Sequence, residues 1–158
     1  MAEKNKTIDP RLHFVVATAI IIKDDKYLIV KRAPQEIAFP GKWTVPGGKL
    51  VLHEYNHLPR VGESAPQWYN VVDWVLRKEV REEVGLEIEK PQYLCDLVFI
   101  RPDGYPVVVL SYWASYRSGE VKLNHEHTDY AWVTLDEAKD YDLIEGIWNE
   151  LKMVEEGA

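Results

Sequence analysis

The chain is short of cysteine, of positive charge and of long apolar runs, and each lack removes a class of function. Only one cysteine, Cys95, occurs in 158 residues. Neither an internal disulfide nor a cysteine-built zinc site can form, which points to a reducing compartment. The longest apolar candidate, Phe14–Ile22, is nine residues and is broken by Thr18, far below the roughly 20 that span a membrane. The opening MAEKNKTIDPRLH is polar and lacks the apolar core of a signal peptide. A cytoplasmic protein without a membrane partner is expected. Nineteen Lys+Arg against 26 Asp+Glu leave a formal charge of −7 and a pI near 5.2. That balance argues against a grip on a nucleic-acid polymer, which needs a net basic surface. It leaves open a small anionic ligand held through a metal cation.

What is present is an ordinary folding composition, 46% apolar and 28% charged, in a length that suits one core. Residues 1–12 read as a flexible lead-in and 13–158 as a single domain. Phe14–Ile22 reads as a buried strand, and the polar break Lys23–Lys26 turns it into a hairpin with Tyr27–Lys31. Trp43–Val45 is a short strand ended by a Pro46-Gly47-Gly48 turn. The periodicity of Trp68, Val71, Val72, Val75, Leu76 and Val80 predicts a long helix opening at Pro66 and stopped by Gly85. Strands follow at Tyr93–Ile100, Val107–Tyr116 and Ala131–Val133. Thr134 and Glu137 form a capping-box pattern, and Leu143, Ile147, Leu151 and Val154 share a face of a last helix. The alternation predicts an α/β/α sandwich with a mixed sheet between helices.

The chemistry concentrates in Lys78-Glu79-Val80-Arg81-Glu82-Glu83-Val84-Gly85-Leu86. On a helix Glu79, Glu82 and Glu83 stand at i, i+3 and i+4, so three carboxylates share one face and repel one another. Either they are a solvated acidic face partnered by Lys78 and Arg81, or a hard divalent cation such as Mg²⁺ or Mn²⁺ offsets the repulsion. His53 with His57, and His125 with His127, are spaced to bind a transition metal as pairs. No further ligand stands at recognisable spacing, so no structural zinc site is expected.

Gly48, the glutamates and Gly85-Leu86 together resemble the Nudix box, G-x5-E-x7-R-E-U-x-E-E-x-G-U, where U is a bulky aliphatic residue. The second half matches without a gap from Glu79 to Leu86. The Tyr27–Arg32 strand, the Trp43…Gly47-Gly48-Lys49 segment and Ala131–Ala138 also resemble this MutT-like superfamily, so the likeness covers nearly all of residues 14–155. Two departures stand out. Lys78 occupies the arginine position, keeping the charge and losing the forked geometry; Arg77 and Arg81 point away from it around the helix. The early box glutamate is Glu54 on spacing or Glu63 on local context, and either reading inserts 16 residues, at about 50–68. That insert is expected to lengthen the helix at its start, with its aromatics as packing groups or as a stacking surface for a base.

The resemblance implies a Mg²⁺-dependent hydrolase, with Mn²⁺ able to substitute. Its substrate would be a nucleoside diphosphate linked to another moiety: a nucleoside triphosphate, nucleotide sugar, ADP-ribose or dinucleoside polyphosphate. Glu79, Glu82 and Glu83, with the Gly47 carbonyl, would hold metal, Glu82 and Glu83 most tightly. Gly48, Glu54 and Gly85 would be structural box positions. Glu79 or Glu126 would activate water, and Lys78 would orient the glutamates. Arg32 and Lys49 are candidates for substrate phosphates. A Nudix-fold module that binds a nucleotide without hydrolysing it is the alternative. Subunit number is not legible; a homodimer rests on analogy with the family.

Overall fold

A computed structural model describes residues 7–157. The first half of the expected lead-in, residues 1–6, lies outside the described residues; residues 7–12 carry one turn at Pro10–Arg11. Strand β1 (Phe14–Lys23) and strand β2 (Lys26–Arg32) form an antiparallel hairpin. Its two-residue loop puts Asp24 and Asp25 at φ 50° and 60°, the left-handed geometry that matches strand twist. Two further strands follow, β3 (Trp43–Thr44) and β4 (Gly47–Lys49). A one-turn helix α1 (Leu52–Tyr55) precedes the long helix α2 (Val71–Val84). The remaining strands are β5 (Glu87–Ile88), β6 (Gln92–Ile100), β7 (Pro106–Ser118) and β8 (His127–Val133). Helices α3 (Leu135–Ala138) and α4 (Ile147–Glu155) close the chain.

The sheet is mixed. Its order is β3-β2-β1-β7-β5, with β4 on β1, β6 on β7 and β8 on β2. Strands β1 and β7 run parallel over nine residue pairs, from Phe14↔Val107 to Ile22↔Ser115, and the other pairings are antiparallel. Strand alternation sends Ala17, Ala19 and Ile21 to one face, where they pack with Leu76, Val80 and Val84 of α2. Ile20 points the other way, into a second core with Tyr27, Ile29, Val133 and, from α4, Ile147 and Leu151. Helices therefore cover both faces, the expected sandwich. Thr134 caps α3 by accepting the Glu137 amide at 3.2 Å. No helix among the described residues is long and apolar enough to cross a membrane.

Three expectations need correction. The long helix starts at Val71, not at Pro66. Asn70 takes a left-handed conformation, and the Trp68 indole donates to the Leu58 carbonyl at 2.9 Å instead of joining the apolar stripe. The insert thus folds on itself: Val61 and Gln67 exchange two backbone hydrogen bonds, and Tyr55 meets Trp68 edge to face at 5.5 Å. Gly47 and Gly48 are strand residues opposite Thr18 and Ala17, not a turn. The last helix begins at Ile147, because Leu143 is drawn into a bridge with Trp43 and Gly146 takes φ 96°. Cys95 is half-buried on β6 with Sγ 3.7 Å from a Glu150 carboxylate oxygen.

Candidate active site

Helix α2 presents its glutamates where β4 crosses beneath it. Val75, Leu76, Val80 and Val84 are buried against the sheet, which fixes the rotation of the helix about its axis. The same rotation turns Glu79 and Glu83 toward Gly47 and Gly48. The Gly47 amide donates to Glu83 Oε2 at 3.2 Å. A Cβ at Gly48 would overlap the Glu79 carboxyl, and one at Gly47 would come 2.5 Å from the Ala17 carbonyl oxygen. Glycine is required here for close approach, not for turning. At the other end of α2, Gly85 takes φ 70° and its amide bonds the Arg81 carbonyl, the left-handed cap expected of it.

A loop brings the fourth carboxylate. Lys122 and Asn124 donate backbone hydrogen bonds to the carbonyls of Val84 and Glu83, at 2.9 and 3.2 Å. Asn124 Oδ1 then accepts the Glu126 amide at 3.0 Å, and the Glu126 carbonyl is held by the Ala33 amide at 2.9 Å. The result is a cluster that spacing did not reveal. One carboxylate oxygen each of Glu83 and Glu126 and a ring nitrogen of His127 lie within 4.8 Å of one another.

Burial and like charge dominate the electrostatics. Glu83 is 3% exposed. Desolvation, then the charges of Glu79 and Glu126, push its carboxyl up to about 9. Glu79 is also raised, first by burial, with Glu82 and Glu126 adding repulsion and Lys78 offsetting part of it. Burial holds the His127 imidazole down at about 4, helped by the nearby positive charge of Arg32, so the ring is neutral at physiological pH. Its Nδ1 is shut away from solvent with no hydrogen-bond partner among the described residues, a desolvation of about 1–3 kcal/mol left uncompensated.

Lys78 is the local counter-charge. Its Nζ lies 3.2 Å from Glu79 Oε1, 3.2 Å from Glu82 Oε2 and 3.5 Å from Glu54 Oε2. Burial alone would lower the ammonium pKa, but the carboxylates of Glu79 and Glu82 outweigh it and hold the value above the ordinary lysine range. The structure thus brings Glu54 to the box lysine, while Glu63 is exposed. Arg77 and Arg81 are engaged elsewhere, with Asp73 at 2.8 Å and Glu87 at 2.6 Å.

Not every candidate joins the cluster. Glu82, expected among the tightest metal ligands, has a side chain 55% exposed and meets Lys78. Arg32 donates from Nε to the Ala38 carbonyl at 2.7 Å and pairs with Glu36 at 3.7 Å, so its guanidinium is tied into the 33–41 loop. Lys49 is exposed, with Nζ 5.8 Å from the Phe14 ring centre. His57 meets the Trp74 ring at 6.0 Å, and His127 joins Glu83 and Glu126. Sequence reasoning missed His127 in that company; its signal was the Asn124-His125-Glu126-His127 run itself.

Known proteins resemble this chain in sequence and in fold. No protein-family model matches the chain. It is 27% identical over 141 residues to the nucleoside triphosphatase NudI of Klebsiella pneumoniae, covering 83% of this chain and 89% of that one. The Escherichia coli K12 NudI is 28% identical over 138 residues, 81% and 86% of the two chains. Among solved structures, a MutT NUDIX hydrolase from Burkholderia pseudomallei superposes with a TM-score of 0.71 at 25% identity, over 91% of this chain and 99% of that one. The NUDIX domain of Shewanella oneidensis NrtR, solved with ADP ribose, shares the fold at a TM-score of 0.69 and 16% identity, over 94% of this chain and 92% of that one. With the motif intact from Glu79 to Leu86 on a helix that faces a diglycine strand, the chain is similar to the Nudix hydrolases over four-fifths of its length.

Proposed function

We propose that this protein is a divalent-cation-dependent pyrophosphohydrolase acting on a nucleoside diphosphate linked to another moiety, with nucleoside triphosphates the first class to test. The observation that carries the reading is the convergence of Glu79, Glu83 and Glu126 beside the Gly47–Gly48 strand, with Lys78 the one cation among the described residues within 4 Å of this group. Such a set is costly without a cation and fits one well. A buried carboxyl driven to about 9 and an orphaned ring nitrogen both gain from a divalent ion. Glu83, Glu79 and Glu82 are the proposed carboxylate ligands, with the Gly47 carbonyl next to the amide that holds Glu83. Mg²⁺ suits these oxygen donors, and Mn²⁺ can substitute. When bound, such an ion neutralises phosphate charge and makes a water molecule more acidic.

The chain's own residues then have distinct tasks. Glu126, fixed by Asn124 and Ala33 across from Glu83, is the proposed base that takes a proton from the attacking water. Lys78 positions Glu79 and Glu82 and ties Glu54 to them, the task a forked arginine performs in the family pattern. Arg32 and Lys49 remain candidates for substrate phosphates, Arg32 only if its bond to Ala38 opens. The nucleoside triphosphatase class follows from the names of the curated relatives. A panel of nucleotides incubated with Mg²⁺ or Mn²⁺ and read by mass spectrometry identifies both the substrate and the bond cleaved. Glu82→Gln and Glu83→Gln should each lower turnover by about 100-fold or more. Turnover that survives both changes sinks these roles. Tight nucleotide binding in calorimetry with no product would establish the binding-module alternative.

A further inference from the structure

We infer that His127 supplies a nitrogen ligand to a cation held by Glu83 beside Glu126, so that this position takes a first-row transition-metal ion such as Mn²⁺ or Co²⁺ in preference to Mg²⁺. The inference rests on the cation-dependent reading above and adds to it a ligand and a metal preference. His127 is 6% exposed, and its Nδ1 is closed to solvent without a partner. A histidine buried only for packing usually satisfies its nitrogens. Here a ring nitrogen is within 4.8 Å of carboxylate oxygens on two separate elements, the α2 helix and the 120–126 loop. Two ligands of one ion at about 2.1 Å each can stand no more than about 4.2 Å apart. Small side-chain rotations close the difference. The fold also holds the ring in place: His127 pairs with Arg32 in the β2–β8 ladder, and its amide bonds the Asn124 carbonyl at 3.4 Å. Imidazole nitrogen favours Mn²⁺, Co²⁺ or Zn²⁺ over Mg²⁺, which prefers oxygen alone.

The test is Mn²⁺ titration of the full chain followed by electron paramagnetic resonance, with pulsed detection of nitrogen coupling, in wild type and in His127→Gln. We expect one bound Mn²⁺ to show histidine nitrogen coupling that changes on ¹⁵N-histidine labelling and vanishes in H127Q. In calorimetry, the ratio of Mn²⁺ to Mg²⁺ affinity should fall about 10-fold in H127Q. Bound Mn²⁺ without nitrogen coupling overturns the inference and leaves the carboxylate site standing. No bound Mn²⁺, with or without nucleotide, overturns both. If H127Q does not fold, the ¹⁵N-labelled wild type decides the matter by itself.

Discussion

Replacing Glu83 by glutamine removes the most strained charge in the site while keeping its shape. The amide oxygen still accepts the Gly47 N–H, and the side chain stays uncharged at every pH. The consequence depends on pH, with a definite sign. Glu83 binds its proton more tightly folded, near 9, than unfolded, near 4.5. Its contribution therefore favours the fold fully below about pH 4.5 and is lost progressively as pH rises toward 9. At about 1.4 kcal/mol per pH unit, the penalty by pH 8 reaches ~5 kcal/mol at most, and structural relaxation brings it to about 2–5 kcal/mol. For a chain of this size each kcal/mol moves Tm by about 2–4 °C, so E83Q without divalent ions should melt roughly 5–15 °C above wild type at pH 8. Near pH 4.5 the difference should vanish. Millimolar Mg²⁺ or Mn²⁺ should raise the wild-type Tm at pH 8 and leave E83Q nearly unmoved. Circular dichroism melts across this range decide it. An E83Q protein no more stable than wild type at pH 8, or a gap that persists at pH 4.5, refutes the electrostatic account of the cluster.

Other positions give further tests. Lys78→Met keeps much of the side-chain volume but leaves Glu54, Glu79 and Glu82 without their common partner; turnover should drop about 10- to 100-fold, and Lys78→Arg should restore most of it. Gly48→Ala forces its methyl into the Glu79 carboxyl. A cost of about 1–3 kcal/mol is expected, along with weaker divalent-ion binding by calorimetry. Gly85→Ala puts a side chain at φ 70° with its Cβ 3.3 Å from that of Lys122. This should cost about 1–2 kcal/mol in a denaturant melt and leave metal affinity largely intact.

The legible parts of this protein were those set by local spacing. Glu79, Glu82 and Glu83 lie within five residues of one helix, so their common face followed from helical geometry alone. The Asp24–Asp25 hairpin and the Gly85 stop were equally local. Errors arose where a residue's partner is remote in sequence. Trp68 continues the apolar period of the helix, yet its indole is held by Leu58 on the far side of the insert. Gly47 and Gly48 carry the signature of a turn, but their small size serves the approach of Glu79 and the Ala17 backbone. His127 sits in a loop-to-strand junction whose proximity to Glu83 depends on backbone bonds from Lys122 and Asn124 to the end of α2. No window of sequence contains that information.

The self-contained fold of residues 50–70 has a bearing on how such a chain can change over time. Because α2 is seated by Leu76, Val80 and Val84 against the sheet, its position owes little to the path by which the backbone arrives. Closure entropy grows only with the logarithm of loop length, so adding some sixteen residues there raises it by about 1 kcal/mol. Segments spliced in beyond Glu54, which meets Lys78, can therefore be exchanged, shortened or elaborated almost freely, while the acidic face they overlook stays in register. Diversity in what is recognised can accumulate beside an unchanged reaction centre.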